Sequence, residues 1–420
     1  MRIILTILRK VSIFILCLGA FFSLSCNRGV TPGVLRFSHF WSEPAQRAAM
    51  NSLLAGFHRE HPEIPVEVSE LSWSDGKTKL MVGFNSETAP DVLELGSDWV
   101  AQFSSSGVLA SLDSNASLMQ RLSDAPKYSL PSGMWGGHYF AVPWLLDTRV
   151  IFINDSLTYL IGEAFTHGLD TNHWNWNALN WMSNLLTWPG HISGIGVNGP
   201  DQHRLYKKFL PYVWSNGGDL FDSAGHPTMN TSQNIEALKY YVDRLLLGDG
   251  MMETQKNLDD AFVRGKLGIW FSGSWLLPRL AKVPFKWHTK IFPGNGNNPG
   301  ESFAGGEYLA VNNKSAMKRE AEIFLEFITR PDNELAFARK VNEYPADVRS
   351  QSDTFYQHRR EGAVFTEQLQ HARMTPVIPQ WLDVEGIIED EVSKALYKKE
   401  TPEEAMNNMQ RRTEELMKNQ

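Results

Sequence analysis

The chain of 420 residues carries 40 basic and 47 acidic side chains, which gives a formal net charge of −7. Hydrophobic residues make up 42% and charged residues 21% of the chain, so a disordered, collagen-like or coiled-coil protein is excluded. The absence of a basic excess excludes a typical nucleic-acid-binding composition, and two cysteines are too few for a disulfide framework. A chain of this length is expected to form about two to three domains.

The N-terminus has the composition of a secretory signal. Arg2, Arg9 and Lys10 precede a run of apolar and small residues over positions 11–22, and further small residues follow it. This order of a basic, an apolar and a small-residue region predicts a signal peptide over residues 1–25. The apolar run is shorter than the roughly 20 residues that span a bilayer. An uncleaved anchor helix is the alternative interpretation.

Cys26 stands where a bacterial lipoprotein signal has its acylated cysteine. Residues 23–26 resemble a lipobox, with Ser23 where that box usually has leucine. Cleavage before Cys26 would also remove Cys17 and would leave residues 26–33 as a short polar tether. We therefore expect a periplasmic or otherwise extracytoplasmic protein that is anchored to the cell membrane by a lipid on Cys26.

The chain after the tether alternates between strand and helix patterns. Alternating apolar residues predict a strand over 34–40, and apolar residues at helical spacing predict a helix over 43–61. Further strands are predicted over 64–71 and 91–95. Strand, helix and strand at this spacing favour parallel pairing with a right-handed crossover.

The same alternation continues towards the C-terminus. The sequence predicts a strand over 265–271 and a helix whose apolar stripe covers 321–328. A last helix is predicted over 401–417, where Thr401 is the N-cap and proline and acidic residues occupy the first turn. No stretch resembles a flexible linker, so lobes that share the chain are expected rather than independent domains.

Signatures of catalysis and of cofactor binding are missing. Residues 76–78 lack the upstream glycine of a phosphate-binding loop, and neither a G-x-S-x-G nor an H-E-x-x-H motif occurs. The glycine-rich stretch 294–300 precedes no helix pattern and is interpreted as a loop. His58 and His61 could share a helix face and bind zinc, but no third ligand accompanies them. We expect no cofactor and no metal.

Tryptophan is abundant, with 14 residues, and several indoles lie beside carboxylates. The apolar face of a pyranose packs on an indole, while its hydroxyls need fixed hydrogen-bond acceptors. A glycosidase also uses two carboxylates, one on each side of the scissile bond. Such pairs therefore favour a sugar ligand, although most tryptophans in a chain of this kind fill the core. The pairs are Trp41 with Glu43, Asp98 with Trp99, and Trp144 with Asp147.

Seven stretches, taken in order along the chain, resemble one protein family. They are residues 35–41, 89–92 with 97–100 and 107–109, 139–154, 216–218, 261–262 with 265–269 and Gly273-Ser274-Trp275, 305–311, and 401–405. On these stretches the chain is similar to the extracellular solute-binding proteins of family 1, the carbohydrate-binding lipoproteins of ABC importers. The stretch that ends at Trp275 is the most specific, and within it Trp270 replaces a usual methionine.

The resemblance implies an α/β protein with the two-lobed periplasmic-binding-protein fold, in which each lobe is a sheet flanked by helices and hinge crossovers join the lobes. Lobe one is expected over 34–145 and 302–350, and lobe two over 146–301 and 351–420. A sugar or oligosaccharide would bind in the cleft between the lobes and be enclosed by hinge closure. The protein would then be a monomeric carrier that delivers this carbohydrate to the permease subunits of an ABC importer, and not an enzyme.

Indoles and carboxylates near strand ends are the side chains expected to contact the ligand. Trp275 is the leading aromatic candidate, because it follows a strand and because the resemblance implies a ligand-stacking tryptophan at this motif. Gly273, just before it, would let the backbone approach a ligand closely. The full set is Trp41, Glu43, Asp98, Trp144, Asp147, Trp275, Glu307 and Trp381.

Three of these residues have a structural alternative. Asp98 could cap a helix that starts at Trp99, and Asp147 could pair with Arg149 on the surface. Trp275 could instead begin a helix and pack into the core with the leucines that follow it.

Two other functions are compatible with the sequence. A secreted glycan-active hydrolase could use a Glu/Asp pair, and it would differ from a carrier by releasing product. A surface adhesin, or a carrier of a non-sugar polar solute such as a glycerophosphodiester, is a weaker possibility.

Overall fold

The computed structural model describes residues 33–73, 75–157, 174–246, 250–296, 298–357 and 360–418. The chain divides after Val34, and Leu35–Gln420 forms one compact unit. The predicted signal peptide and Cys26 lie outside the described residues. Within the described part of the chain, no helix is both long and apolar enough to cross a bilayer.

The first strands and helices form the predicted crossover units. β1 (Leu35–His39) pairs in parallel with both β2 (Val66–Glu70) and β3 (Val92–Gly96), and α1 (Pro44–Glu60) and α2 (Gly76–Asn85) connect them. β3 is buried along its whole length, whereas β2 is mostly exposed at the edge of the sheet. The apolar stripe predicted for the first helix faces the core, so the pattern identified both the element and its buried side.

A short connecting region follows the third strand. It contains α3 (Val100–Ser105), α4 (Ala116–Asp124) and a small hairpin of β4 (Met134–Trp135) and β5 (His138–Tyr139). α3 begins after Trp99, and no side chain caps its N-terminus. The alternative in which Asp98 caps this helix is therefore wrong.

The longest strand joins two parts of one sheet. β6 (Ala141–Asn154) is buried throughout and exchanges partners half-way along. Its residues up to Thr148 pair with β11 (Ser302–Val311), whereas residues from Arg149 onwards pair with β9 (Leu267–Gly273), both in antiparallel fashion. The strand order is β2-β1-β3-β11-β6-β9-β7-β8, in which β7 is Ser193–Asn198 and β8 is Met251–Glu253. One continuous strand thus links the part of the sheet that is formed by N-terminal strands to the part that is formed by strands from the middle of the chain.

The second group of strands is built from the middle of the chain. β7 pairs in parallel with both β8 and β9, while β10 (Trp287–Lys290) pairs antiparallel with the second half of β6. Helices lie between these strands in sequence. The elements are α5 (Trp176–Leu186), β7 (Ser193–Asn198), α6 (Leu205–Ser215), α7 (Ser232–Leu246), β8 (Met251–Glu253), α8 (Gln255–Val263), α9 (Leu277–Leu280) and β10 (Trp287–Lys290).

The C-terminal third is mainly helical. The stripe over 321–328 is buried, as predicted. Thr401 and Glu404 form a capping box, in which the Glu404 N–H donates to Thr401 Oγ1 over 3.2 Å and the Thr401 N–H donates to Glu404 Oε2 over 2.8 Å. The elements are α10 (Lys318–Ile328), α11 (Pro331–Val341), β12 (Tyr344–Pro345), α12 (Thr354–Gln357), α13 (Arg360–Gln370), β13 (Ala372–Arg373), α14 (Trp381–Leu396) and α15 (Pro402–Lys418).

Candidate ligand-binding site

Three glycines form the floor of the candidate site. Gly96, Gly305 and Gly273 lie on β3, β11 and β9, and each has a side chain folded directly over it. Asp98 lies over the first, Asp147 over the second and Trp275 over the third, so that a Cβ at any of these glycines would overlap it. Three of the predicted ligand contacts therefore occupy space that only glycine leaves open. The space beside Gly273 is filled by the Trp275 indole, so the expectation that a ligand approaches the backbone there is wrong.

Asp147 and Glu307 lie on the same face of adjacent strands. Asp147 pairs with Gly305, and Glu307 stands two residues further along β11. Side chains alternate between the two faces of a sheet, so Glu307 lies on the same face as Gly305. Asp147 stands opposite Gly305, and its carboxylate therefore lies on that face too. Burial, and then repulsion by Asp147, raises the pKa of Glu307 to about 8, while attraction by Lys207 and Arg149 works in the opposite direction.

The Arg149 guanidinium connects the acidic group to two aromatic rings. Its Nη1 atom lies 2.9 Å from Asp147 Oδ2, and both side chains are buried. The guanidinium carbon lies 5.3 Å from the centre of the Trp275 ring and 4.7 Å from that of Phe303. A cation held over aromatic faces in this way is stabilised by the ring quadrupoles. The alternative pairing of Asp147 with Arg149 exists, but in the interior and not on the surface.

Helix α6 contributes the side chains that contact Asp98. The Tyr206 hydroxyl donates to Asp98 Oδ2 over 2.7 Å, and Lys207 Nζ lies 3.8 Å from the same oxygen. Burial alone would raise the pKa of Asp98, but attraction by Lys207 and the hydrogen bond from Tyr206 outweigh it and hold the pKa below its usual value. Lys207 Nζ also lies 5.3 Å from the centre of the Phe303 ring. Because Arg149 contacts the same ring, Phe303 connects the Lys207–Asp98 pair to the Arg149–Asp147 pair.

Trp275 is half-buried and hydrogen-bonded at its edge. Its indole N–H donates to Asp259 Oδ2 over 3.1 Å, and Asp259 Oδ1 accepts from the Trp270 indole over 2.6 Å. Trp275 lies in a short 3₁₀ turn, and both Leu276 and the end of α9 that follows are buried. The core alternative therefore applies in part, since the residues that follow Trp275 enter the core while Trp275 itself is only half-buried. Its contact with a ligand stays a prediction.

Of the four remaining predicted residues, only Trp381 packs against a member of this group, Tyr206. Trp41 and Trp144 are buried and pack on Phe337, with ring centres 5.4 and 4.7 Å away. Trp381 is buried 5.7 Å from the Tyr206 ring. Glu43 is exposed at the N-cap of α1, where its N–H donates to Gln46 Oε1 over 3.1 Å. As ligand contacts these four remain predictions.

Sequence reasoning missed Glu343 and Lys207. Glu343 is buried just before β12, and its Oε2 accepts from the Ser274 hydroxyl over 2.6 Å. Burial raises the pKa of Glu343 well above its ordinary value, and the charges of Glu307 and Asp147 raise it further. Neither residue stands beside a tryptophan or in a recognised motif, so the sequence contained no signal that would have selected them.

Other features of the described surface lie away from this group. A cavity of about 370 Å³ is lined by residues of β2, α2 and the turn before β3, and another of about 120 Å³ lies between α1 and α11. Within the described ranges no group of three or more His, Cys, Asp or Glu side chains could hold a metal ion. His58 and His61 therefore have no third ligand there.

The family model of the bacterial extracellular solute-binding proteins matches residues 41–335, more than half of the chain. The chain belongs to this family. Among relatives, an uncharacterised lipoprotein of Streptomyces antibioticus is 27% identical over 376 residues, which are 84% of this chain and 80% of the relative. Solute-binding proteins of this family act outside the cytoplasm, in agreement with the predicted location.

Solved structures show the same fold. The GacH receptor of Streptomyces glaucescens, determined with and without acarbose, superposes with a TM-score of 0.82 at 22% identity and covers 92% of this chain and 98% of its own. An ABC substrate-binding protein of Listeria monocytogenes in complex with cycloalternan gives 0.80 at 22% identity, with 91% and 98% covered. The two-lobed periplasmic-binding-protein fold is confirmed.

Proposed function

We propose that this solute-binding protein captures a sugar or oligosaccharide and delivers it to the permease of an ABC importer. The observation that carries the proposal is the half-buried Trp275 beside Arg149, Asp147 and Glu307. An indole face supports the apolar side of a pyranose, and the charged groups accept from and donate to its hydroxyls. The GacH and Listeria proteins, which share the fold, were determined with acarbose and cycloalternan.

Closure of two lobes would assemble this site. We assign lobe one to residues 34–145 and 302–350, and lobe two to 146–301 and 351–420. Asp98 then belongs to lobe one, whereas Tyr206 and Lys207 belong to lobe two, so their contact forms only in the closed state. The exchange of partners along β6 between Thr148 and Arg149 supports a hinge close to this boundary.

The carrier would act as a lipid-anchored monomer. Acylation of Cys26 would tether the domain through residues 26–33, and the lipoprotein of Streptomyces antibioticus supports this interpretation. A hydrocarbon chain contributes about 0.8 kcal/mol of membrane binding for each buried methylene. A tethered monomer keeps its cleft free to meet the permease subunits.

The proposal is tested with the purified domain that starts after Cys26. Thermal shift against maltotriose, other neutral trisaccharides and glycerophosphocholine identifies the ligand class, and small-angle scattering then measures compaction at saturating ligand. We expect a carbohydrate to raise the melting temperature and to reduce the radius of gyration. Stabilisation by glycerophosphocholine alone, or saturation without compaction, would contradict the proposal.

The hydrolase alternative has one observation in its favour. Asp147 and Glu307 share a sheet face, and Glu307 has a pKa of about 8 and so keeps its proton near neutrality, as a general acid must. A glycosidase would place its two carboxyl groups across a scissile bond. Chromatography of each bound oligosaccharide after long incubation separates the functions, because a carrier returns it intact.

A further inference from the structure

Asp259 is a buried residue whose carboxyl group accepts hydrogen bonds from three side chains. It lies on α8 and is 5% exposed. Its Oδ1 atom accepts from the Trp270 indole over 2.6 Å and from the Ser272 hydroxyl over 2.8 Å. Its Oδ2 atom accepts from the Trp275 indole over 3.1 Å. Because an indole N–H can only donate, both oxygens of Asp259 are needed as acceptors.

The course of the chain after α8 brings these donors to one carboxyl group. Trp270 and Ser272 stand two residues apart on β9, so their side chains lie on the same face of the strand. Trp275 follows in a 3₁₀ turn of three residues, and its six-membered ring lies where a Cβ of Gly273 would be. So short a turn does not by itself select one rotamer of a half-buried side chain. The orientation of the Trp275 indole therefore depends on its neighbours.

Two basic side chains also contact the Trp275 ring. The guanidinium carbon of Arg149 lies 5.3 Å from the ring centre, and Lys208 Nζ lies 5.8 Å from it. Lys208 is buried and lies 4.8 Å from the centre of the Trp270 ring as well. Contacts with the face of a ring allow the ring to turn in its own plane, whereas a hydrogen bond is directional. The bond to Asp259 therefore defines where the edge of the indole points.

We infer that Asp259 is a positioning residue for sugar binding, which holds the Trp275 indole in the orientation that stacks on a pyranose. The inference rests on the proposed function, in which Trp275 contacts the sugar. Asp259 is buried, so it acts through Trp275 and not by its own contact with the sugar. A side chain that is already fixed loses little rotamer freedom when a ligand binds, so the hydrogen bond raises the affinity without adding a contact.

Trp270 connects this arrangement to the core. It stands where the similar family usually has methionine, and it is fully buried with its indole N–H on Asp259 Oδ1. A methionine has no N–H group to donate from its side chain, so it would leave Asp259 with one partner fewer. Residue 270 thus influences the sugar site through two successive hydrogen bonds, although it lies in the interior.

Asp259→Asn tests the inference. Asparagine keeps the shape of the side chain but has a single oxygen, so it cannot accept from both indoles. We expect the affinity for a neutral trisaccharide to fall at least about twofold, and by no more than in Trp275→Ala, which removes the whole ring. Titration calorimetry with maltotriose, cellotriose and chitotriose, well below the melting temperature, measures the change.

Asp260→Asn is the matched control. It removes the same charge from the next residue of α8, where Asp260 forms a partly exposed ion pair with Arg279. This variant should bind each sugar as tightly as the unaltered protein. Asp259→Asn with an affinity equal to that of Asp260→Asn would overturn the inference.

A double-mutant cycle separates positioning from a general effect on the structure. If Asp259 acts through Trp275, Asp259→Asn should cause no further loss of affinity in the Trp275→Ala background. Additive losses would overturn the inference, because Asp259 would then act by another route. If Asp259→Asn does not fold, Trp275→Phe decides, since it keeps an aromatic face without the N–H donor. Its affinity should fall at least about twofold, and an unchanged affinity would overturn the inference.

Failure of the inference is distinct from failure of the proposed function. Sugar binding that Asp259→Asn leaves unchanged would keep the carrier in place and remove only the positioning role. Binding of none of the three trisaccharides by the unaltered protein would count against the sugar carrier, and the inference would be overturned with it.

Discussion

Asp147 Oδ2 lies 2.9 Å from Arg149 Nη1, two residues further along the same strand, and both side chains are buried. Alternation along β6 puts the two residues on one face, at the point where the strand exchanges β11 for β9. The ion pair therefore joins a residue of β6 that pairs with β11 to one that pairs with β9. The Arg149 carbonyl also accepts from the Ser302 hydroxyl over 2.7 Å, which links β6 to the start of β11.

Removal of the Arg149 charge alone should destabilise the protein more than removal of the Arg149 and Asp147 charges together. Arg149→Gln leaves Asp147 beside Glu307 and Glu343 without compensation, and breaking a buried pair costs about 3–5 kcal/mol. Urea unfolding of Arg149→Gln, Asp147→Asn and the double variant measures the coupling. We expect the double variant to be more stable than Arg149→Gln alone. Additive effects would mean that the pair is not coupled.

Stability should fall as the pH rises from weakly acidic to weakly basic values. Glu307 has a pKa of about 8 in the folded protein, against an ordinary value of 4.5. Between these values the folded state keeps a proton that the unfolded state has released, so the free energy of unfolding decreases with rising pH.

Glu307→Gln should remove this part of the pH dependence. Above the folded pKa, the variant should be more stable than the original protein by up to about 5 kcal/mol, since the rise from 4.5 to about 8 is about 3.5 pKa units and each corresponds to about 1.36 kcal/mol. Denaturant unfolding across the pH range measures the difference, with Glu67→Gln as the exposed control. An unchanged slope would contradict the assigned role of Glu307.

Loss of the Trp275 ring should weaken ligand binding. Stacking on an aromatic face contributes about 0.5–1.5 kcal/mol beyond the buried area, so Trp275→Ala should lower the affinity for a bound sugar at least about 2- to 10-fold. Trp275→Phe keeps a ring but loses the donor to Asp259, and it should retain more of the affinity. Equal affinities of all three proteins would show that Trp275 does not contact the ligand.

Trp144 provides the contrast for that experiment. It is fully buried and stacks on Phe337 at 4.7 Å, so Trp144→Ala should cost about 3–5 kcal/mol of folding stability. Well below its melting temperature the variant should bind sugar normally. Weakened binding by a folded Trp144→Ala protein would instead support the predicted ligand contact.

Lipid attachment should depend on Cys26. Cys26→Ala in the full chain should abolish metabolic labelling with a fatty acid and should release the protein from the membrane fraction. Replacement of Cys17, which lies in the predicted signal peptide, is the matched control and should change neither. Persistent labelling of Cys26→Ala would exclude this anchor.

Local patterns predicted the strands and helices well. The helix over 43–61 and the strands on either side of it appear within a few residues of their predicted limits, because alternation and helical spacing report burial along a single element. The cap at Thr401 was equally predictable, since a capping box needs only residues three apart. The lobe limits are different, because they follow from strand pairing, and they stay a prediction.

The sequence predicted the residue types of the candidate site, which are indoles and carboxylates. It was less successful at predicting which of these residues lie together. Asp98, Asp147 and Trp275 are linked through Arg149, Phe303 and Lys207, and Glu307 lies on the same sheet face as Asp147. Trp41 and Trp144 resembled ligand contacts equally well in sequence. Their rings are packed on Phe337, which is far away along the chain, and no local pattern reveals such a partner.

The amino-acid sequence was sufficient to identify the family, the alternation of strands and helices, and acidic and aromatic residue types near strand ends. These follow from composition and short-range order. The electrostatics of the site depend on strand pairing across the chain: Glu94, Glu307 and Glu343 come from separate segments, and they repel one another only because neighbouring strands bring them to one buried face. Distance and burial set the strength of charge interactions, and both are properties of the folded chain.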